Sequence, residues 1–295
     1  MAKATLLFIG TDDGLVLLSD PAGQGRWLRS AHQLQGSVVQ SVWVDPSHPL
    51  ITLAIADRRV LRSSDGGQTW QTVRLESDLT ATAALYGAPR RPALVYLLAD
   101  DVLLESRDAG VTWRAIALPG QCNGCAIDGA GRLVVASGNQ VFIDGDQSAQ
   151  WTLPGSPLPG VIRMLVTPPG GAGALCALAG GVVYVFAQDA WHRVENLPGE
   201  AATCAVLAGA APTLLAALTD GGIVRGTLHA WEPAIVALPW ESATTVLSPA
   251  GYHMDTVFAS SAHGDVAISV DRGRSWTVVR RGLAPVRSIA AARLA

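Results

Sequence analysis

Only one lysine, Lys3, stands in the 295 residues, against 20 arginines. Basic residues never run beyond pairs, as at Arg58-Arg59, Arg90-Arg91 and Arg280-Arg281, and the 24 acidic residues leave a formal net charge of -3. A main activity on nucleic acid, which calls for a clustered basic face, is poorly supported on this count. No stretch reaches the roughly 18 consecutive apolar residues of a membrane-spanning helix. The opening "MAKATLLFIGTDDG" lacks the long hydrophobic region and small-residue cleavage site of a secretory signal, which gives the expectation of a cytoplasmic protein that does not engage membrane. No segment is long and periodic enough to predict a helix. Cysteine is scarce, at four residues, and the six histidines share no spacing, so neither a disulfide framework nor a metal cluster is expected.

What the chain has instead is tryptophan and turns. Tryptophans at 27, 70, 113, 151, 191, 231 and 276 are separated by 43, 43, 38, 40, 40 and 45 residues. A unit of about 42 residues is too long for tetratricopeptide or ankyrin units and matches the four-stranded blade of a propeller. Ahead of each tryptophan an apolar run such as "ITLAIA", "LVYLLA" or "TLLAALT" is followed by a tight turn rich in Asp and Gly and then a second run, the pattern of a β-hairpin. After the tryptophan comes a short strand, in most units a proline-containing linker, and then a run rich in Ala, Gly and Ser that suits an inner strand near a central channel.

The pattern predicts an all-β, seven-bladed β-propeller with four-stranded antiparallel blades. Unit one has no inner strand before "TLLFIG", whereas the tail "VRSIAAARL" has inner-strand character, so the C-terminal strand is expected to join blade one and close the ring. One domain over residues 1–295 is expected. Its approximate blades are 4–36 with 286–295, 37–77, 78–120, 121–160, 161–200, 201–241 and 242–285.

Three turns share a tighter motif. "SSDGGQTW" supplies Ser63, Asp65, Gly67, Thr69 and Trp70; "SRDAGVTW" supplies Ser106, Asp108, Gly110, Thr112 and Trp113; "SVDRGRSW" supplies Ser269, Asp271, Gly273, Ser275 and Trp276. The carboxylate can accept from N–H groups of its own turn, the glycines permit conformations closed to branched residues, and the tryptophan supplies an apolar anchor. Each copy offers one carboxylate where a calcium site needs six or more oxygen ligands, so the turn reads as a structural fastener and no metal or cofactor is expected.

These three copies resemble the Asp-box, or BNR repeat, of sialidase-like propellers. The chain looks most like the non-catalytic seven-bladed group that includes photosystem assembly factors. That resemblance implies a scaffold for complex assembly, although those relatives are exported or lipid-anchored. Resemblance to the sialidases themselves would imply three arginines for a substrate carboxylate, a tyrosine paired with a glutamate, and an aspartic acid. Tyr86, Tyr96, Tyr184 and Tyr252 have no evident glutamate partner in sequence, and the sialidases have six blades.

Other glycosidases need two carboxylates about 5–9 Å apart. Asp12, Asp13, Asp100, Asp101, Asp220 and Asp265 lie in tight turns that share one face with the starts of the inner strands, so a pair across a channel mouth is conceivable, but Asp is also what such hairpins need. "CNGC", with Cys122 and Cys125, is read as two small buried thiols in an inner strand, like Cys176 and Cys204. Two tryptophans outside the periodic series, Trp43 and Trp240, are candidates for partner binding, with inter-blade contact as the plainer role. Short uniform loops leave little room for an active site. The sequence therefore favours a non-enzymatic propeller, monomeric on its own, that binds a protein partner or assists assembly. A hydrolase or lyase, and a glycan or small-molecule module, remain as alternatives.

Overall fold

Apolar runs separated by two- or three-residue turns can satisfy their backbone groups only by pairing with one another, and here they do so in seven four-stranded antiparallel sheets. The computed structural model describes residues 4–75, 81–88, 91–100, 102–145, 150–169 and 174–294. The inner strands, in blade order from two to seven, are Val39–Val44, Ala81–Gly87, Gly124–Ile127, Ile162–Val166, Ala201–Leu207 and Thr244–Pro249. Blade one takes its inner strand from Val286–Arg293, which pairs antiparallel with Thr5–Thr11 from Thr5↔Arg293 to Thr11↔Val286. The C-terminal strand thus closes the ring, and each inner strand contacts the inner strands on both sides around the whole circle.

Seven apolar clusters hold the blades together, one at each junction. Each contains one tryptophan of the periodic series. Trp70 packs on the cluster between blades one and two, Trp113 between two and three, Trp151 between three and four and Trp191 between four and five. Trp231, Trp276 and Trp27 do the same at the remaining three junctions. Every indole belongs to the later blade and leans on the earlier one. The sequence period is therefore a period of blade-to-blade adhesion, and this is the physical reason that tryptophan persists where the rest of the motif has eroded.

Polar side chains reinforce two junctions in the same way. Arg62 donates Nε–H to the carbonyl of Ala109 at 2.9 Å, and Arg225 donates Nε–H to the carbonyl of Arg272 at 2.9 Å. Both acceptors are the fourth residue of an Asp-box in the next blade. That position is left-handed in all three boxes, with φ of 73° at Gly66, 54° at Ala109 and 63° at Arg272. Arg272 also reaches back into blade six and its loop, donating to Thr213 Oγ1, the Ala208 and Ala211 carbonyls and, within blade seven, Asp255.

One regularity escaped the sequence. Six of the seven inner strands slip register near their start, as between Val39 and Ser41 or between Ile162 and Met164. A bulge there bends the strand away from ideal pairing and raises its twist, which suits strands that must converge on an axis.

Candidate functional site

Successive strands of a blade alternate direction, so the inner strand and the third strand both run toward the same end of the ring. The Asp-box turns, which follow third strands, therefore share an end with the loops that follow inner strands. In the first box the Asp65 carboxylate accepts the Thr69 hydroxyl at 2.6 Å, the Thr69 N–H at 2.9 Å, the Gln68 N–H at 3.0 Å and the Ser63 hydroxyl at 2.7 Å. Asp108 and Asp271 repeat this set with Thr112 and Val111, and with Ser275 and Arg274. Ser63, Ser106 and Ser269 each accept the N–H of Gly67, Gly110 and Gly273 at 2.8 Å. Trp70 and Trp113 donate Nε1–H to Gly67 and Gly110, but the buried Nε1 of Trp276 has no partner.

Gly110 shows why the box tolerates no side chain at its fifth position. Its φ is 84°, and a Cβ there would lie 2.5 Å from Leu53 Cδ2 of the preceding blade. Each box carboxylate accepts from donors of its own turn, an arrangement that holds the loop.

These bonds depress the box carboxyls. The Thr69 hydroxyl first, then its N–H and the Ser63 hydroxyl, hold Asp65 at about 2. Burial pushes Asp108 and Asp271 up, yet the hydroxyl and N–H donors outweigh it and both end below the ordinary value near 3.8. A carboxyl whose folded value lies below its unfolded one contributes stability that is present above the unfolded value and lost as pH falls through the folded one. The Asp65→Asn and Asp108→Asn variants are expected to be less stable than the parent near neutral pH in urea unfolding, with the difference shrinking between pH 3.8 and about 2. A difference independent of pH across that window contradicts the assignment.

Those carboxylates considered for catalysis that the structure describes sit at the opposite end, and four of them are engaged. Asp12 forms a two-point ion pair with Arg287, at 2.6 and 2.8 Å. Asp13 accepts the Gly36 N–H, Asp100 lies 3.6 Å from Arg58, and Asp265 accepts from Arg281 and the Gly282 N–H. Asp220 lies in the equivalent turn of blade six, and Asp101 lies outside the described residues. Among the described residues no group of three His, Cys, Asp or Glu could hold a metal.

A tyrosine–glutamate juxtaposition not evident in sequence does occur. Tyr96 and Glu105 are direct cross-strand partners in blade three. Both are buried, however, and Glu105 is held by Arg107 and Arg114. Burial raises the Glu105 carboxyl, but the two guanidinium hydrogen bonds outweigh it and leave the group ionised. The pair lies inside a blade junction and not at a surface where a substrate could arrive.

All four cysteines are free and buried. Burial raises the Cys122 thiol to about 11 and Cys204 to about 12, so neither is primed as a nucleophile. Cys122 lies ahead of the inner strand Gly124–Ile127 rather than within it, and both it and Cys125 face the cluster between blades three and four. The expected burial of both thiols holds, but the inner-strand placement holds for Cys125 alone.

The surface feature that stands out is at the Asp-box end. Where the inner strands finish, a cavity of about 430 Å³ opens over the channel. Its wall includes Trp43, three prolines at 46, 169 and 249, Tyr252 and Arg293, and Arg293 is its one charged residue. Trp43 is nearly buried, with its indole against Gly87 of blade three, where a Cβ would come within 2.2 Å of Nε1. It forms part of the floor of the mouth. Trp240 is half-buried at the junction of blades six and seven and donates Nε1–H to Thr244 Oγ1 at 3.3 Å. It stands ahead of an inner strand, at the other end of the ring, so the two candidate tryptophans do not share a site. Tyr252, Pro169 and Arg293 gave no signal in sequence, since the mouth is assembled from five blades whose loops have no common motif.

No protein-family model matches the sequence, and no curated protein matches it either. Solved structures do match in fold. YCF48 from Cyanidioschyzon merolae superposes with a TM-score of 0.65 at 15% identity over 82% of this chain and 85% of that one. YCF48 bound to a D1 peptide gives 0.63 at 17% identity over 82% of each. Apo AztD from Citrobacter koseri gives 0.68 at 12% identity over 99% of each chain. Virginiamycin B lyase from Staphylococcus aureus, an enzyme, gives 0.62 at 11% identity over 86% of this chain and 87% of that one. At these identities the likeness establishes the propeller fold.

The expectation of a cytoplasmic protein does not stand, since the YCF48 structures that share this fold speak against it, and a likeness at 15–17% identity assigns no compartment in its place. The apolar start that prompted the expectation is the strand Thr5–Thr11, committed to the core of blade one, and carries no information about compartment. No helix of the described residues is long and apolar enough to cross a membrane.

Proposed function

We propose that this chain is a non-enzymatic β-propeller, one domain over its length, that binds a protein partner at the channel mouth in the course of complex assembly. The observation that carries the reading is the mouth itself. It is a concave surface of tryptophan, tyrosine, proline and small aliphatic residues with a single charge and no carboxylate. Such a lining suits a chain segment better than a reaction, since acid–base chemistry needs titratable groups that converge. The peptide complex of YCF48 supports the choice of a protein ligand. The Asp-box residues act in this reading as fasteners that fix the rim, and Trp43 as part of the floor on which the partner rests.

Site-specific photo-crosslinking tests it. A crosslinking residue at Pro46 or Pro169, on the mouth, is expected to capture one protein at near-stoichiometric yield in native cells. The same group at Trp240 is expected to capture none. Capture from Trp240 with silence at the mouth contradicts the proposal.

A further inference from the structure

The mouth cavity does not end at the channel. A second cavity of about 520 Å³ adjoins it on the blade seven to blade one junction, and both are lined by Tyr252 and Arg293. A third, of about 260 Å³, shares Tyr252 and Pro169 with the mouth and ends at the exposed Met254. The mouth and the second cavity form a groove that runs from the channel outward along the seam where the ring closes, with exposed Val270 of the third Asp-box on its outer wall, while the third branches toward Leu207 and Ala208 of blade six.

Three stretches distant in sequence build this seam. The closing strand gives Ile289 to Arg293, the first strand gives Thr5, and the blade-seven loop gives Ser248 to Thr256. Few bonds tie closing strand to loop. Ser248 Oγ donates to the Ile289 carbonyl at 2.8 Å, and the Arg293 guanidinium stands 4.8 Å from the centre of the Tyr252 ring. Arg293 is exposed and forms no ion pair with any described residue. Asp20, the carboxylate that lines the second cavity, is occupied by the N–H groups of Gln24 and Gly25. A guanidinium stacked on an aromatic face is fixed in orientation and keeps its hydrogen-bonding fork free. An arginine held this way, the one arginine in a lining of apolar and polar side chains whose single carboxylate, Asp20, is already engaged, is a receptor for one carboxylate.

We infer that the seam groove binds an extended partner segment carrying an acidic side chain beside apolar ones, with Arg293 receiving the carboxylate, and that occupancy fastens the closing strand. The inference rests on the partner-binding reading and adds the chemistry of the partner and its linkage to ring closure. Because the ligand would contact Ile289 to Arg293, Thr5 and Tyr252 together, it binds the closed ring and not one with the last strand frayed. Binding must then stabilise closure by mass action.

The test uses the intact chain and labelled, C-terminally amidated peptides of valine and serine, about ten residues long, with one central glutamate or glutamine. Fluorescence anisotropy is expected to give at least about tenfold tighter binding for the glutamate peptide, or ~1.4 kcal/mol. That preference is expected to vanish in Arg293→Gln and to be partly kept in Arg293→Lys, with thermal melting unchanged in both. Hydrogen exchange in residues 286–293 is expected to slow with the glutamate peptide. Equal binding of the two peptides, no binding of either, a preference that survives Arg293→Gln, or binding only when the glutamine peptide has a free C-terminal carboxylate would each overturn the inference. If crosslinking finds a partner at the mouth while the peptides fail, the function stands and the acidic anchor falls. If crosslinking finds the partner elsewhere, the function itself falls.

Discussion

Trp113→Ala is expected to destabilise the protein by about 3–5 kcal/mol, measured by denaturant unfolding. The indole is nearly buried across the junction of blades two and three, against Leu53, Ile55 and Leu97, and the Ala variant would leave a void that two rigid sheets cannot collapse to fill. The conservative series separates adhesion from hydrogen bonding. Trp113→Phe keeps most of the apolar contact but strips the Gly110 carbonyl of its 3.2 Å donor. Trp231 is buried equally well, yet its Nε1 has no partner. Trp231→Phe therefore removes an unsatisfied donor and is expected to cost less than Trp113→Phe. Equal losses in the two Phe variants would mean that the Asp-box hydrogen bond adds nothing to the junction.

Removing residues 286–295 is expected to have the larger effect, the loss of a soluble, cooperatively folding monomer. Thr5–Thr11 would lose one of its two partner strands along its whole length. Leu7, Phe8 and Ile9 are fully buried, and Leu7 and Ile9 belong to a cluster that includes Val286 and Ile289 of the closing strand. The deletion would leave an open edge beside an unfilled channel, the condition under which strands recruit other chains. Size-exclusion chromatography is expected to show aggregate or a domain-swapped oligomer, and the missing ten residues supplied as a peptide are expected to restore monomer. A truncated chain that stays monomeric with an unchanged melting transition would show that closure contributes nothing.

The sequence made the scaffold readable because adhesion between blades is a local requirement repeated seven times. Each junction needs one large indole in one place, so Trp27 to Trp276 betray the period even where Ser, Asp and Thr have changed. The closing strand was readable for a related reason: an unmatched inner strand at one end of the chain and an unmatched outer set at the other have one topological solution. The box network was readable from Asp65, Asp108 and Asp271 because its donors lie within four residues.

The site was far less readable. The mouth brings Trp43, Pro169, Pro249 and Arg293 together from separate blades, and nothing within any one blade specifies that convergence. Reasoning from turns directed attention to Asp12, Asp100 and Asp265, which lie at the other end of the channel and are spent on ion pairs there. Trp43 and Trp240 looked alike as unscheduled tryptophans, and only the direction of the inner strands separates them. Arg272 offered no clue at all, since its hydrogen bonds into blade six run to residues about 60 positions earlier.

Hydrogen exchange on the complex with the captured partner tests the central claim most directly. A partner seated at the Asp-box end of the channel predicts protection confined to the segments around residues 42–46, 167–169, 248–254 and 289–293. Protection centred on Trp240 and the turns of Asp12 and Asp265, with these segments unchanged, would contradict it.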